Sequence, residues 1–200
     1  ELDLADDVSV HRAVKQLLEK VPDGLGAIVN NAGMAMPGAV EDLSRDSLRK
    51  QFEVNVFGSQ ELTNALIPTL RKQGWGRIVT VSSIYGLISA PMVGGYCASK
   101  FGLRGFTEAL SRELSDTSVG VLYIAPRATQ TAINNQQVTE MNESLGVKSD
   151  RPEWVAEQVI KAIQKERHRV YLGWPEKLFV RINALLPGLV ASSIIKQLPV

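Results

Sequence analysis

Gly26-Ala27-Ile28-Val29-Asn30-Asn31-Ala32-Gly33 is a short apolar run, β-branched at its centre, that passes directly into amide and small side chains. An apolar run without alternation suits a strand buried on both faces, as in a parallel sheet. Turn residues bound it, with Pro22, Asp23 and Gly24 before it and Ala32-Gly33 after it. Arg77-Ile78-Val79-Thr80-Val81 is a second such run, ending at Ser82-Ser83. A third spans 119–125 and stops at Pro126, and a fourth spans 169–172.

Helical patterns separate these strands. Asp6 or Asp7 can cap a helix in which Val10, Val14, Leu17 and Leu18 recur at helical spacing up to Lys20. Ser44 opens another, with Leu48, Phe52 and Val56 on its apolar face, and the pattern runs through Leu62, Leu66 and Leu70 to Gly74. Pro68 is expected to bend that helix. A long helix over 96–114 follows, then one over 150–165 whose start carries Asp150 as cap, Pro152 and Glu153. Strand and helix alternate throughout, which predicts an α/β fold with a parallel sheet covered on both faces. The polar segment 129–150 is long enough to act as a mobile lid.

Composition narrows the function. Two hundred residues with net charge +1, 44% hydrophobic and 22% charged suit one globular domain with a sizeable core. No basic tract stands out, so no nucleic-acid partner is expected. The lone Cys97 excludes an internal disulfide, and His11 and His168 lie far apart, so no metal site is expected. No apolar run approaches a membrane span. Glu1-Leu2-Asp3 has neither the basic nor the apolar region of a signal peptide, which makes a cytoplasmic setting the expectation.

In an open parallel sheet, ligands bind beyond the carboxyl ends of the strands. That rule selects 31–34, 82–85 and 126–131, where polar residues concentrate. Gly33 lets a backbone approach a ligand closely, or Asn31-Ala32-Gly33 is simply a turn. Asn55 lies mid-helix, where asparagine is a poor helix former; it is an exposed accident or has a specific task. Tyr96-Cys97-Ala98-Ser99-Lys100 opens the long helix, and its tyrosine and lysine, four residues apart, share a helix face.

Taken together, Asn30-Asn31-Ala32-Gly33, Asn55-Val56-Phe57-Gly58, Ser82-Ser83 and Tyr96-Cys97-Ala98-Ser99-Lys100, thirteen residues after Ser83, occur in order. Over 3–171 the chain resembles the short-chain dehydrogenase/reductases. The resemblance implies a Rossmann-like doubly wound parallel sheet and hydride transfer between NAD or NADP and a small alcohol or carbonyl substrate. It makes Tyr96 the general acid/base and Ser83 the group that hydrogen-bonds the substrate oxygen. Asn55 would hold a water linking Lys100 to a proton relay. A free tyrosine has a pKa of about 10, but a lysine cation at roughly 4 Å and an effective dielectric of ~20 favours phenolate by about 4 kcal/mol. That corresponds to roughly 3 pKa units, so Lys100 is expected to bring Tyr96 near working pH.

Further positions follow from the same resemblance. Lys100 would also bind the nicotinamide ribose, and Asn31, Ala32 and Gly33 would pass along the adenine ribose. Asp3-Leu4 matches the acidic pair that meets adenine, or is a helix cap. Pro126 and Thr131 match the family's Pro-Gly-x-x-x-Thr segment facing nicotinamide and pyrophosphate. Arg127 replaces its glycine, and an arginine there could still lie near a phosphate. Cys97 is expected to be a packing residue. The family oligomerises, which implies a homodimer or homotetramer.

The family's opening strand, Thr-Gly-x-x-x-Gly-x-Gly turn and second strand have no counterpart in the sequence. The expectation is therefore a partial domain over 1–200, a piece of a longer protein, which alone binds cofactor weakly or not at all. That departure and Arg127 leave a second function open, a non-catalytic relative serving binding or assembly. Leu87, Ile88, Pro91, Met92 and Val93 hint at an apolar substrate. The tail, 175–200, is amphipathic: Leu178, Phe179, Ile182, Leu185 and Leu186 form a stripe, followed by a second segment over 191–198. Such a stripe packs on its own domain or a partner subunit, or attaches to a membrane surface, because Lys177, Arg181 and Lys196 flank it.

Overall fold

The apolar runs pair with one another. β1 (Ala27–Asn30), β2 (Gly76–Val81), β3 (Val119–Ala125) and β4 (Arg169–Tyr171) form one sheet in the order β1-β2-β3-β4. Every neighbouring pair is parallel, in a computed structural model that describes residues 1–131 and 148–196. Ile28 lies beside Ile78, and Ile78 beside Val121; one step on, Val29, Val79 and Leu122 line up. Side chains alternate across a strand, so these two rows face opposite ways and each needs its own cover.

The first row is covered by α1 (Asp7–Lys20), α3 (Ser59–Gln73) and α4 (Gly94–Glu113), whose Val10, Val14, Leu66, Leu70 and Leu110, with Leu114 just after α4, pack with Ile28, Ile78 and Val121. The second is covered by α5 (Pro152–Gln164), through Val155, Val159 and Ala162 against Val79, Val81, Leu122 and Ile124. The sheet advances in one direction while α4 and α5 lie on opposite faces. The β2–α4–β3 and β3–α5–β4 crossovers therefore have opposite hands, and one of them departs from the usual right-handed rule.

Caps and breaks explain the boundaries. Asp6 caps α1 by accepting from the Val8 N–H at 3.0 Å, as its position suggested. Ser44 caps α2 (Arg45–Phe52) by accepting from the Ser47 N–H. Gly74, in the left-handed region at φ +76°, ends α3, a conformation glycine adopts without penalty. α4 begins at Gly94, two residues before Tyr96. Asp150 does not cap α5: the cap position belongs to Arg151, without a side-chain hydrogen bond, because Asp150 is held by Arg127.

One departure from α geometry matters for the site. Between α2 and α3, residues Glu53–Gly58 form a π-helical turn. The wider turn turns Asn55 and Val56 inward, where both are buried, and leaves Phe57 outside.

The tail forms α6 (Glu176–Leu185) and α7 (Pro187–Ile195). Val180 and Val190 pack on Ile84, Leu87, Ile88, Tyr123 and Ala125, which ties the tail to the segment following β2. The expected lid falls largely on 132–147, outside the described residues. Its two ends meet, with Thr129 bridged to Asp150.

Candidate active site

The carboxyl ends of β1, β2 and β3 deliver three segments to one edge of the sheet. After β2, Ser83 adopts extended backbone and caps the single turn Ile84–Gly86, its Oγ accepting from the Tyr85 N–H at 3.1 Å. The Ile84 N–H donates to the Pro126 carbonyl at 2.9 Å, which fixes Ser83 beside the end of β3. Across from it, the first turns of α4 present Tyr96, whose phenol the Ser83 hydroxyl approaches closely enough to favour its ionised form.

Lys100 follows one turn later on α4. Only 3% of its surface is exposed, and its Nζ lies over the Tyr96 ring, 5.6 Å from the centroid. Burial pushes its pKa down to about 8. Tyr96 keeps some exposed surface, yet loss of hydration pushes its pKa up to about 12, with the Ser83 hydroxyl acting in the opposite direction. The expected lowering of Tyr96 by Lys100 is thus outweighed. Desolvation is the larger effect on Tyr96, because burial penalises the phenolate.

Asn55 is fully buried in the π-turn. Its Oδ1 accepts from the Met34 N–H at 2.7 Å, and its Nδ2 donates to the Met34 carbonyl at 2.8 Å and to Ser99 Oγ at 2.9 Å. Ser99 in turn donates to the Tyr96 carbonyl at 2.8 Å. Asn55 is therefore no exposed accident: it ties the segment after β1 to the helix carrying Tyr96 and Lys100. Gly33 belongs to the same cluster, since a Cβ there would stand 3.2 Å from both Asn55 Oδ1 and Lys100 Nζ. A side chain at 33 would press on both groups.

The remaining candidates separate. Asn31 and Ala32 are exposed beside Gly33, and Pro126 is buried at the end of β3. Thr131 is exposed at the edge of the described residues. Asp3 forms a local turn, its Oδ1 accepting from the Ala5 N–H at 2.9 Å, while Asp6 caps α1. Leu4 crosses Gly58 so closely that a Cβ there would collide with the Leu4 carbonyl, which brings the start of the chain onto the π-turn.

Arg127 is not free to meet a phosphate. Its guanidinium grips Asp150 with both Nε (3.0 Å) and Nη2 (2.6 Å), and Nη1 donates to the Trp174 carbonyl at 3.1 Å and approaches Glu176 at 3.4 Å. Two carboxylates hold it fully charged. It joins the end of β3, the base of segment 132–147 and the start of the tail.

Two residues have roles the sequence did not announce. Ser99 was legible only as part of the tyrosine–lysine motif. Tyr85 stacks edge-on against Tyr96, centroids 6.4 Å apart, and burial pushes its pKa upward. Their linear signals are a small residue and an aromatic beside the motif, patterns shared with ordinary packing positions.

A sequence model of the family described as "short chain dehydrogenase" matches residues 1–142. The Escherichia coli protein named "Uncharacterized oxidoreductase YbbO" is 34% identical, with 98% of this chain and 76% of that protein covered. A short chain dehydrogenase from Burkholderia cenocepacia, crystallised with NADP, shares the fold at a TM-score of 0.82 and 22% identity, covering 97% of this chain and 76% of that one. A second, from Burkholderia phymatum with NAD, does so at a TM-score of 0.82 and 23% identity, covering 94% and 75%. With most of its length matched and its motifs gathered at one sheet edge, the chain belongs to the short-chain dehydrogenase family and is an oxidoreductase.

Proposed function

We propose that the protein transfers a hydride between NAD or NADP and the alcohol or carbonyl carbon of a small, apolar substrate, with Tyr96 as general acid/base. The observation that carries this reading is the contact of Ser83 with Tyr96 beside the buried ammonium of Lys100.

The described residues fit the nicotinamide side of such a cofactor. Gly33 leaves bare backbone beside Lys100, and Asn31 and Ala32 are exposed along the same edge. Lys100, with donors and no acceptor, would suit ribose hydroxyls, and by resemblance Pro126 and Thr131 would face nicotinamide and pyrophosphate. Asp3 and Leu4 would meet the adenine. Bound cofactor supplies or takes the hydride.

The protein's own groups handle the proton. With its pKa pushed up to about 12, the Tyr96 phenol is protonated at neutral pH and serves as acid toward a carbonyl oxygen. The Ser83 hydroxyl holds that oxygen against the phenol. Lys100 is mostly charged at neutral pH and stabilises phenolate after the proton leaves. Asn55 Oδ1 accepts one hydrogen bond from Met34 and has capacity for a second, from a relay water beside Lys100.

The same reading takes 1–200 as one partial domain that ends in the amphipathic tail, 175–200, and expects a cytoplasmic setting and a homodimer or homotetramer. A panel of apolar ketones and aldehydes, followed by nicotinamide absorbance, tests it. Tyr96→Phe is expected to lose about 100- to 10,000-fold in rate. Activity that survives in Tyr96→Phe overturns the mechanism, and no turnover in wild type favours a non-catalytic binding module.

A further inference from the structure

The tail helices bury one face and leave another uncovered. Val180 and Val190 are inside, but Leu178, Leu185, Leu186, Leu189 and Ile195 are exposed, Leu185 to 81% and Leu189 to 63%. Isolated exposed apolar residues are ordinary; five large ones within eighteen positions of one helix pair call for a partner.

Charge points to the nature of that partner. From Lys177 to Lys196 the sequence holds Lys177, Arg181 and Lys196 and no aspartate or glutamate. All three cations are exposed. Lys177, Arg181 and Leu185 follow one another at helical i, i+4 spacing, so charge and leucine share the outward side of α6. Trp174, exposed to 61%, stands at the head of the tail with Lys177 Nζ 5.4 Å from its ring centroid. Protein interfaces deplete lysine at their centres. An anionic lipid surface takes the same mixture readily, with leucine and tryptophan entering the headgroup boundary and long basic side chains reaching phosphates. No helix among the described residues is long and apolar enough to cross a membrane, so the mode is attachment to the surface.

We infer that the outer faces of α6 and α7 dock on an anionic lipid bilayer. α6 is anchored beside the site: Asn183 Nδ2 donates to the Leu87 carbonyl at 3.3 Å, and Val180 packs on Ile84 and Ile88, just beyond Ser83. Docking places the bilayer alongside the segment that leads to Tyr96.

Co-sedimentation of the purified protein tests this, with vesicles of phosphatidylcholine alone and of phosphatidylcholine mixed with phosphatidylglycerol. Binding is expected only to the mixed vesicles and weakens as salt rises. Leu185→Ser with Leu189→Ser, and separately Lys177→Gln with Arg181→Gln and Lys196→Gln, are each expected to weaken it at least about tenfold. Because these side chains are exposed, thermal unfolding stays unchanged, which separates lost docking from lost folding. Failure of wild type to sediment with mixed vesicles overturns the inference, as does equal sedimentation of the variants. An oligomer dispersed by the leucine substitutions without vesicles present also overturns it, assigning the face to a second copy of the chain. Turnover is not measured, so the outcome is independent of the hydride-transfer mechanism.

Discussion

At Lys100 the fold holds an ammonium with 3% of its surface exposed, and burial lowers its pKa from 10.5 to about 8. Between those two pH values the unfolded chain binds more protons than the folded one, so stability rises as pH climbs from about 8 toward 10.5. Below pH 8 the penalty is fully present, at about 3 kcal/mol for a shift of this size. Lys100→Met is therefore expected to raise stability in urea at neutral pH by up to about 3 kcal/mol and to flatten its rise above pH 8. The same variant is expected to lose turnover, the familiar opposition of stability and function at a strained site. In wild type, turnover should decline as pH rises through about 8, where Lys100 sheds the charge that stabilises phenolate. Asn55→Ala removes three hydrogen bonds from a fully buried amide and leaves the Met34 backbone groups without them. A loss of about 2–3 kcal/mol in chemical denaturation is expected.

Elements set how these residues meet. The π-turn Glu53–Gly58 presents Asn55 inward, and Gly58 at its end admits the Leu4 backbone. Gly58→Ala forces that backbone away and is expected to reduce stability by about 1–3 kcal/mol, read from urea unfolding. Arg127 is the second joint. Its partners Asp150 and Glu176 are mostly buried, and removing the cation leaves two carboxylates facing each other. Arg127→Met is expected to cost about 2–4 kcal/mol. Asp150 read as a helix cap from its place before Pro152; the guanidinium, twenty-three residues back in the chain, outcompeted that local role.

For the whole molecule, each sheet face has separate cover, and the penalty for weakening it depends on depth. Leu122, fully buried at the centre of β3 beneath α5, is expected to lose about 2–5 kcal/mol on substitution by alanine. Val29, on the same face at the β1 edge, is half exposed, and Val29→Ala is expected to cost less than about 1 kcal/mol. Thermal unfolding of the two variants side by side reads this difference.

The strands, the order of the helices and the sheet edge at which the motifs gather were legible in the linear chain. Unbroken apolar runs report burial on both faces, and the tyrosine–lysine spacing reports a shared helix face; both are local periodicities. The linear chain left open which face α5 covers, because residues 119–125 and 152–164 carry the same apolar signal for either hand of crossover. Packing across the sheet decides that, along with the π-turn that turns Asn55 inward, the capture of Arg127 by Asp150 and Glu176, and the burial that pushes the Tyr96 pKa upward. The physical reason is common to all four. Each depends on groups distant in the chain competing for one buried space, and desolvation there outweighs the propensities and charge estimates that neighbours in sequence can supply.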